Sequence, residues 1–311
     1  MPLPQRLKAD LALVGVSFIW GGTFVIVKIA LADVSPLVFV WLRLGLASLL
    51  LWLIFRRAAA LRAPGMWRAG AVIGFFLAAG YGFQTVGLNY TTPTKSAFIT
   101  TLSVALVPVI MMAFFRQRVR PWTLGGVAAA VAGLYFLTVP PGRFTMEKGD
   151  FLTVFCALAF AGHIVAVGRY APRYGFRGLV VAQVGMAVAM MTVVVPVGGA
   201  SGWETPVLAW TGRLGLALVV TAVLATAVAF SVQTWAQQFT SPTHTAIIYS
   251  LEPVFAALTS FAVFGERLGG RGLLGAGLIL AGVLLAELRV RPGPELPGAP
   301  GAANPGPDER V

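Results

Sequence analysis

FTSPTHTAIIYSLEPVFAALTSFAVFGERL, residues 239–268, decides the fold. The run has about the length that a bilayer requires, yet Glu252 and Pro253 stand in its middle. A charge at that depth costs roughly 2.5–3.5 kcal/mol on insertion scales, so a carboxyl kept there points to a polar pathway. A counterpart lies half a chain earlier, YTTPTKSAFITTLSVALVPVIMMAFFRQRV at 90–119.

The match extends in both directions. Residues 83–138 fall on 232–287 at a shift of 149 without a gap, with 15 identities in 56 pairs, among them Gln84/Gln233, Pro93/Pro242 and Gly133/Gly282. Upstream, a shift of 140 sets Asp10 on Asp150, Gly22 on Gly162 and Gly45 on Gly185, with Trp20 opposite Phe160 and Arg43 opposite Gln183. Each copy holds five apolar runs, an odd number, so the second copy enters the membrane upside down. Inverted repeats of this kind characterise secondary transporters, with the substrate site near the midplane where the halves meet.

Of 311 residues, 58% are hydrophobic and 11% charged, with a mean hydropathy of +0.83. A soluble domain carries about 25% charged residues, so that class is excluded. Apolar runs at about 10–31, 35–56, 66–88, 94–115, 121–139, 149–168, 178–197, 212–238, 243–264 and 271–289 predict an all-α integral membrane protein with ten transmembrane helices. The expected organisation is a first five-helix repeat at 10–139, a second at 149–289, and a Pro- and Gly-rich disordered tail at 290–311. With the N-terminus inside, 14 Lys and Arg residues fall on the cytoplasmic side and 6 on the other, which predicts cytoplasmic termini. The net charge of +12 comes from short clusters between the apolar runs, a topological signal and not a nucleic-acid footprint. Lone Cys156 and two histidines leave no basis for a disulfide framework, a metal site or a bound cofactor. The apolar run after MPLPQRLKAD is too long for a signal-peptide core, so it reads as a retained first helix.

QTWAQQFTSPTHTAIIYSLEPVFAALTSFAVFGERL at 233–268 resembles the signature of the EamA-type branch of the drug/metabolite transporter superfamily. FIWGGTFVIVKIAL at 18–31 and FVWLRLGLASLLL at 39–51 are similar to that family's first two helices, and the likeness covers about 10–289. The resemblance implies a ten-helix bundle, a central cavity lined by helices 1, 3, 4, 6, 8 and 9, and export or exchange of small metabolites, amino acids or drugs. In the first half, Ser103-Val104 stands where the second has Glu252-Pro253.

Thr245, Tyr249 and Glu252 share one helical face, as do Ser96, Thr100 and Ser103 on the matched span. Such stripes are either cavity walls or interhelical hydrogen bonds. Glu252 either pairs with a cation, Arg43 being the best partner by sequence, or carries a proton; its role is to lock the broken helix at Pro253 structurally, to gate, to couple protons or to hold a substrate ammonium. Pro253 breaks its helix and, beside Ser103-Val104, makes the ninth span the charged, broken member of the pair. Arg43 suits an ion pair that holds the second helix to the bundle, or a substrate carboxylate. Lys28 is expected to snorkel to the interface. Trp20 and Tyr81 could stack on a flat solute; Gln84 and Gln233 offer neutral donors and acceptors. His163 either touches substrate or is satisfied by a neighbouring helix.

The sequence carries no HExxH, Walker loop, Ser-His-Asp set or paired carboxylates, so an enzyme is not expected; a membrane-embedded enzyme is the distant alternative. The expectation is a proton- or gradient-driven secondary transporter in the cell (inner) membrane. Its partners are a small-molecule substrate and the lipid bilayer, with export favoured over import or exchange and the oligomeric state open.

Overall fold

The computed structural model describes residues 4–91, 93–139, 146–264 and 269–287, and these residues form helices without a β-strand. The expected tail at 290–311 and the last residues of the second repeat lie outside them. In chain order the helices are α1 (Gln5–Ala30), α2 (Pro36–Phe55), α3 (Met66–Asn89), α4 (Pro93–Thr101), α5 (Ser103–Phe115), α6 (Pro121–Thr138), α7 (Lys148–Tyr174), α8 (Phe176–Ala200), α9 (Gly212–Ala222), α10 (Ala229–Ala236), α11 (Pro242–Tyr249), α12 (Glu252–Phe264) and α13 (Gly270–Glu287). Proline opens α2, α4, α6 and α11, where its missing N–H has no helical partner to lose. Ser241 caps α11 by accepting from His244 N at 3.2 Å, and Thr211 caps α9 by accepting from Leu214 N at 3.2 Å.

Seven helical runs are long and apolar enough to cross a membrane: 5–30, 36–55, 66–89, 96–115, 148–174, 176–200 and 212–236. Two shorter apolar helices lie at 121–137 and 270–285. Phe18, Ile54, Phe75, Phe114, Val193, Leu216 and Leu284 point outward, each more than half exposed. In water such a girdle would drive aggregation; around a bundle of bilayer-length helices it is the surface that lipid solvates.

The chain departs from the sequence expectation at the fourth span. Both matched spans are broken, α4 from α5 at Leu102 and α11 from α12 at Ser250 and Leu251. The backbone tightens to i→i−3 bonds at each break, Leu102 N to Ile99 O at 3.1 Å, Ser250 N to Ile247 O at 3.0 Å and Leu251 N to Ile248 O at 3.1 Å. The break therefore does not depend on the Glu-Pro pair. Pro253 occupies the second position of α12, where it fits without loss. A further irregularity has no proline at all: Val223–Val228, between α9 and α10, is a π-helical segment.

α3 packs between α7 and α8, α2 lies on α8, α1 crosses α11 and α12, and α7 crosses α4 and α5. α6 and α13 meet through glycines: a Cβ on Gly133 would stand 2.6 Å from the Gly275 carbonyl oxygen, and one on Gly282 2.6 Å from that of Gly126. At one end of the bundle, the loop after α8 ties down the α1–α2 turn. Arg213 and Thr211 bond Asp33 at 2.5 and 2.6 Å, Glu204 accepts from Leu37 N at 3.0 Å, and Ala209 N donates to Asp33 O at 2.8 Å. The Arg213 and Thr211 bonds hold the Asp33 carboxyl down to about 2, while burial pushes that of Glu204 up. Lys28 does not snorkel as expected. Its Nζ caps the end of α3, donating to Leu88 O and, at 3.3 Å, to Thr91 O in the turn that follows.

Candidate functional site

Between two apolar clusters lies a partly open cavity. One cluster closes it beyond Trp20 with Leu13, Val16, Ile164, Ile248 and Leu251; the other backs it with Leu44, Leu77, Val184 and Phe230. The cavity follows α1 from Trp20 to Val27 and α3 from Tyr81 to Leu88, toward the C-terminal ends of both helices. At the opposite end α1 is tied to α11, where Asp10 stands 3.4 Å from His244 Nε2 and 3.6 Å from Arg6.

The structure brings Trp20, Arg43, Tyr81, Gln84, His163, Gln233, Tyr249 and Glu252 to this one cavity. Pro253 is adjacent in the chain but is not in the lining. Trp20, Tyr81, Phe160, Phe230 and Tyr249 form a connected aromatic wall, with ring centroids 5.0 Å apart for Trp20–Tyr249 and 5.5 Å for Tyr81–Phe160. Gly21 lets α1 reach the broken span: a Cβ there would stand 2.6 Å from Glu252 O and 2.9 Å from Ala256 N. Ser17 Oγ reaches Ile248 O at 3.3 Å, one of the carbonyls at the break.

The expected Arg43–Glu252 pair does not form. Arg43 Nε donates to Thr226 Oγ1 at 2.8 Å, Nη2 donates to Tyr81 OH at 2.6 Å and to Ala225 O at 3.3 Å, and the guanidinium lies 4.0 Å from the Tyr81 ring centroid. The π segment explains why. Thr226 Oγ1 donates five residues back to Thr221 O, and Ala225 O also accepts from Trp20 Nε1 at 2.8 Å. The loosened turn thus offers a hydroxyl and a carbonyl that draw Arg43 toward α9–α10. α2 consequently contributes to the lining, although the resemblance placed it outside. Glu252 makes no hydrogen bond or ion pair among the described residues.

The other polar residues divide. His163 is satisfied by α8: its Nε2 stands 2.9 Å from Gln183 Oε1, and Gln183 Nε2 donates to Thr234 Oγ1 at 2.9 Å. Gln84 Nε2 donates to Thr100 Oγ1 at 3.3 Å, and Gln233 Nε2 donates to Gln237 Oε1 at 3.0 Å. Gln233 Oε1 and Tyr249 OH are buried without a hydrogen-bond partner among the described residues, although both residues line the cavity. Ser96 and Thr245, at the far ends of the two polar stripes, lie outside the lining; Thr100 and Ser103 belong to it. Sequence reasoning missed Thr226 and Ala225, since VLATAV contains neither proline nor glycine to mark an irregular turn.

Fold and site define a multi-pass helical membrane protein with a polar internal cavity. The chain matches the EamA-like transporter family over residues 7–139 and again over 147–288. An uncharacterized transporter of Archaeoglobus fulgidus is 37% identical over 268 residues, covering 85% of this chain and 80% of its own. A second from the same organism is 27% identical over 269 residues, covering 84% of this chain and 90% of its own. A protein known by its crystal structure shares the fold, with a TM-score of 0.74 at 18% identity over 91% of this chain and 97% of its own. The chain belongs to the EamA-like transporter family, and it is a membrane transporter.

Proposed function

We propose that the protein is a secondary transporter that exports small organic metabolites, amino acids or drug-like solutes, across the cytoplasmic (inner) membrane by alternating access. The observation that carries this reading is the cavity itself: its wall is drawn from both matched segments, and it holds buried polar atoms on Gln233 and Tyr249 that no group among the described residues satisfies. A buried, unpaired polar atom is expensive unless a ligand completes it. Trp20, Tyr81, Gln84, His163, Gln233 and Tyr249 are the substrate-binding set, and Glu252, Pro253 and Arg43 the gating or coupling set, with Glu252 the group for proton coupling.

In this reading the chain crosses the membrane ten times: the seven long runs, α6, α13 and the α11–α12 pair. The repeats at 10–139 and 149–289 are inverted, and the α6–α13 contact supports this. Gly126 and Gly133 match Gly275 and Gly282 at the shift of 149, yet Gly133 meets Gly275 and Gly126 meets Gly282. Matched helices that meet in this reciprocal order run antiparallel about a local two-fold axis. With both termini cytoplasmic, the cavity extends toward the outer side, and the Asp10–His244 end is the closed inner one.

The test is a thermal-shift screen of the purified protein against amino acids, nucleosides, sugars and cationic drugs, followed by counterflow in liposomes with each stabilising solute. Stabilisation and counterflow by one class are expected. No stabilisation and no counterflow across every class would overturn the reading.

A further inference from the structure

The geometry points to Arg43 as the anchor for a carboxylate on the transported solute. This inference rests on the reading of the cavity as the transport site and names the chemistry that the site selects.

Arginine stays protonated in proteins, so the buried Arg43 brings a full positive charge to the cavity wall. Every group that it bonds is neutral: the Thr226 hydroxyl, the Tyr81 hydroxyl and the Ala225 carbonyl. No carboxylate pairs with it among the described residues, and its Nη1 has no partner there. A buried guanidinium without a counter-anion is strongly disfavoured, and this one lines the cavity.

The internal repeat separates packing from charge. Arg43 corresponds to Gln183, which packs equally deep and bonds His163 and Thr234. A neutral amide thus suffices to tie that position of the bundle to its neighbours. The charge of Arg43 exceeds what packing asks for. Glu252, whose counterpart is Ser103, likewise places a carboxyl where its mate carries a hydroxyl. The polar groups of the cavity thus differ between the halves while the scaffold is repeated.

Two features fix the anion as an organic carboxylate. A single cation suits a monoanion better than a phosphate. The aromatic wall of Trp20, Tyr81 and Phe160 demands an apolar body beside the charged group. Arg43 is held ready for this by the π segment, which fixes Nε and Nη2 and leaves Nη1 to the ligand.

Three probes with the same phenyl body isolate the charge: L-phenylalanine, 3-phenylpropionate and 2-phenylethylamine, each titrated against the purified full chain, with sodium chloride as a control. The two carboxylates are expected to bind and stabilise, the amine and chloride not. Arg43→Gln, which installs the residue type that the other half carries, should weaken carboxylate binding by roughly 30-fold or more, the range for truncating one partner of a buried charge pair. Should Arg43→Gln fail to purify as a single species, Arg43→Lys carries the test: it keeps the charge but loses the Thr226 and Ala225 bonds that aim it, so weakened yet measurable carboxylate binding is expected. Binding of the amine alone, stabilisation by chloride equal to that by the carboxylates, carboxylate affinity unchanged in either variant, or no binding of any carboxylate would each overturn the assignment. Counterflow with a neutral or cationic solute tells the two failures apart. Where it persists, the transporter stands and only the carboxylate anchor falls.

Discussion

Gly21→Ala tests how tightly the cavity is built around the broken span. The Cβ that it adds would stand 2.6 Å from Glu252 O and 2.9 Å from Ala256 N, both backbone atoms of α12 that no rotamer change can move. Ordinary contact begins at 3.4 Å, so α1 and α12 must separate by the difference of 3.4 and 2.6, about 0.8 Å, at a place where small residues set the helix spacing. Overpacking of this kind costs about 1–3 kcal/mol. Alanine also returns up to about 1 kcal/mol of helix propensity, which blurs the net effect. Gly15→Ala on the same helix removes that ambiguity, because nothing lies within 4 Å of its new Cβ and it receives the propensity gain alone. The gap between the two variants is then the overpacking term, about 1–3 kcal/mol, or several degrees of unfolding temperature at roughly 2–4 °C per kcal/mol for a chain of this order. Thermal unfolding in detergent reads the gap, and counterflow reads the accompanying displacement of Trp20 against Tyr249. Equal unfolding temperatures for Gly21→Ala and Gly15→Ala would refute the close approach of α1 to α12.

The remaining predictions concern single charges and the proline. Asp33 has its carboxyl lowered from 3.8 to about 2 by Arg213 and Thr211, so its stabilising contribution is fully present above pH 4 and is lost as pH falls toward 2. Asp33→Asn should therefore lower the unfolding temperature at pH 6 and converge with the wild type near pH 2; a constant offset across that window would refute the ion pair as its source. Glu252→Gln should abolish solute efflux driven by a pH gradient in proteoliposomes while leaving counterflow; unchanged pH dependence would exclude proton coupling through Glu252. Pro253→Ala, at the second position of α12, should leave thermal stability within about 1 kcal/mol and slow exchange more than it weakens binding. The reverse order of effects would place Pro253 in the binding site.

The helices and most of the site were legible because lipid simplifies the code. Apolar runs of bilayer length match α2 and α3 to within a residue, α1 begins five residues before its run, and Pro36, Pro93, Pro121 and Pro242 mark the starts of α2, α4, α6 and α11. Trp20, Tyr81, Gln84, Gln233 and Glu252 stood out as polar or amphipathic groups in spans where each must justify its insertion. What could not be read was the partner of each. Arg43 and Glu252 are the obvious opposite charges at depth, and charge alone pairs them. The π segment at 223–228 redirects Arg43 by offering Thr226 and Ala225, and nothing in VLATAV announces a π turn. Lys28 was illegible for a similar reason: the carbonyls at the end of α3 are invisible until the helix end is placed beside α1.

The broken spans show which part of the repeat is shape and which is chemistry. Pro253 lies two residues after Leu251, at the break, whereas Pro108 lies six residues after Leu102, well inside α5. Two prolines at different offsets cannot both dictate breaks at matched leucines. What the two breaks share is a crossing helix: α1 passes over α11 and α12, and its mate in the other half, α7, passes over α4 and α5. On α1, Gly21 packs close against Glu252 O while Ser17 adds a bond to Ile248 O, which Leu251 N also meets. Both breaks thus lie under matched crossing helices, although α7 carries Ala157 and Ala161 where α1 has Ser17 and Gly21. The two halves then differ at this position in charge and not in shape, Glu252 against Ser103. If the α11–α12 span moves differently from α4–α5 during transport, the difference must come from what the carboxyl binds. Replacing Glu252 should equalise the two spans, whereas replacing Pro253 should slow exchange and leave the difference between them in place.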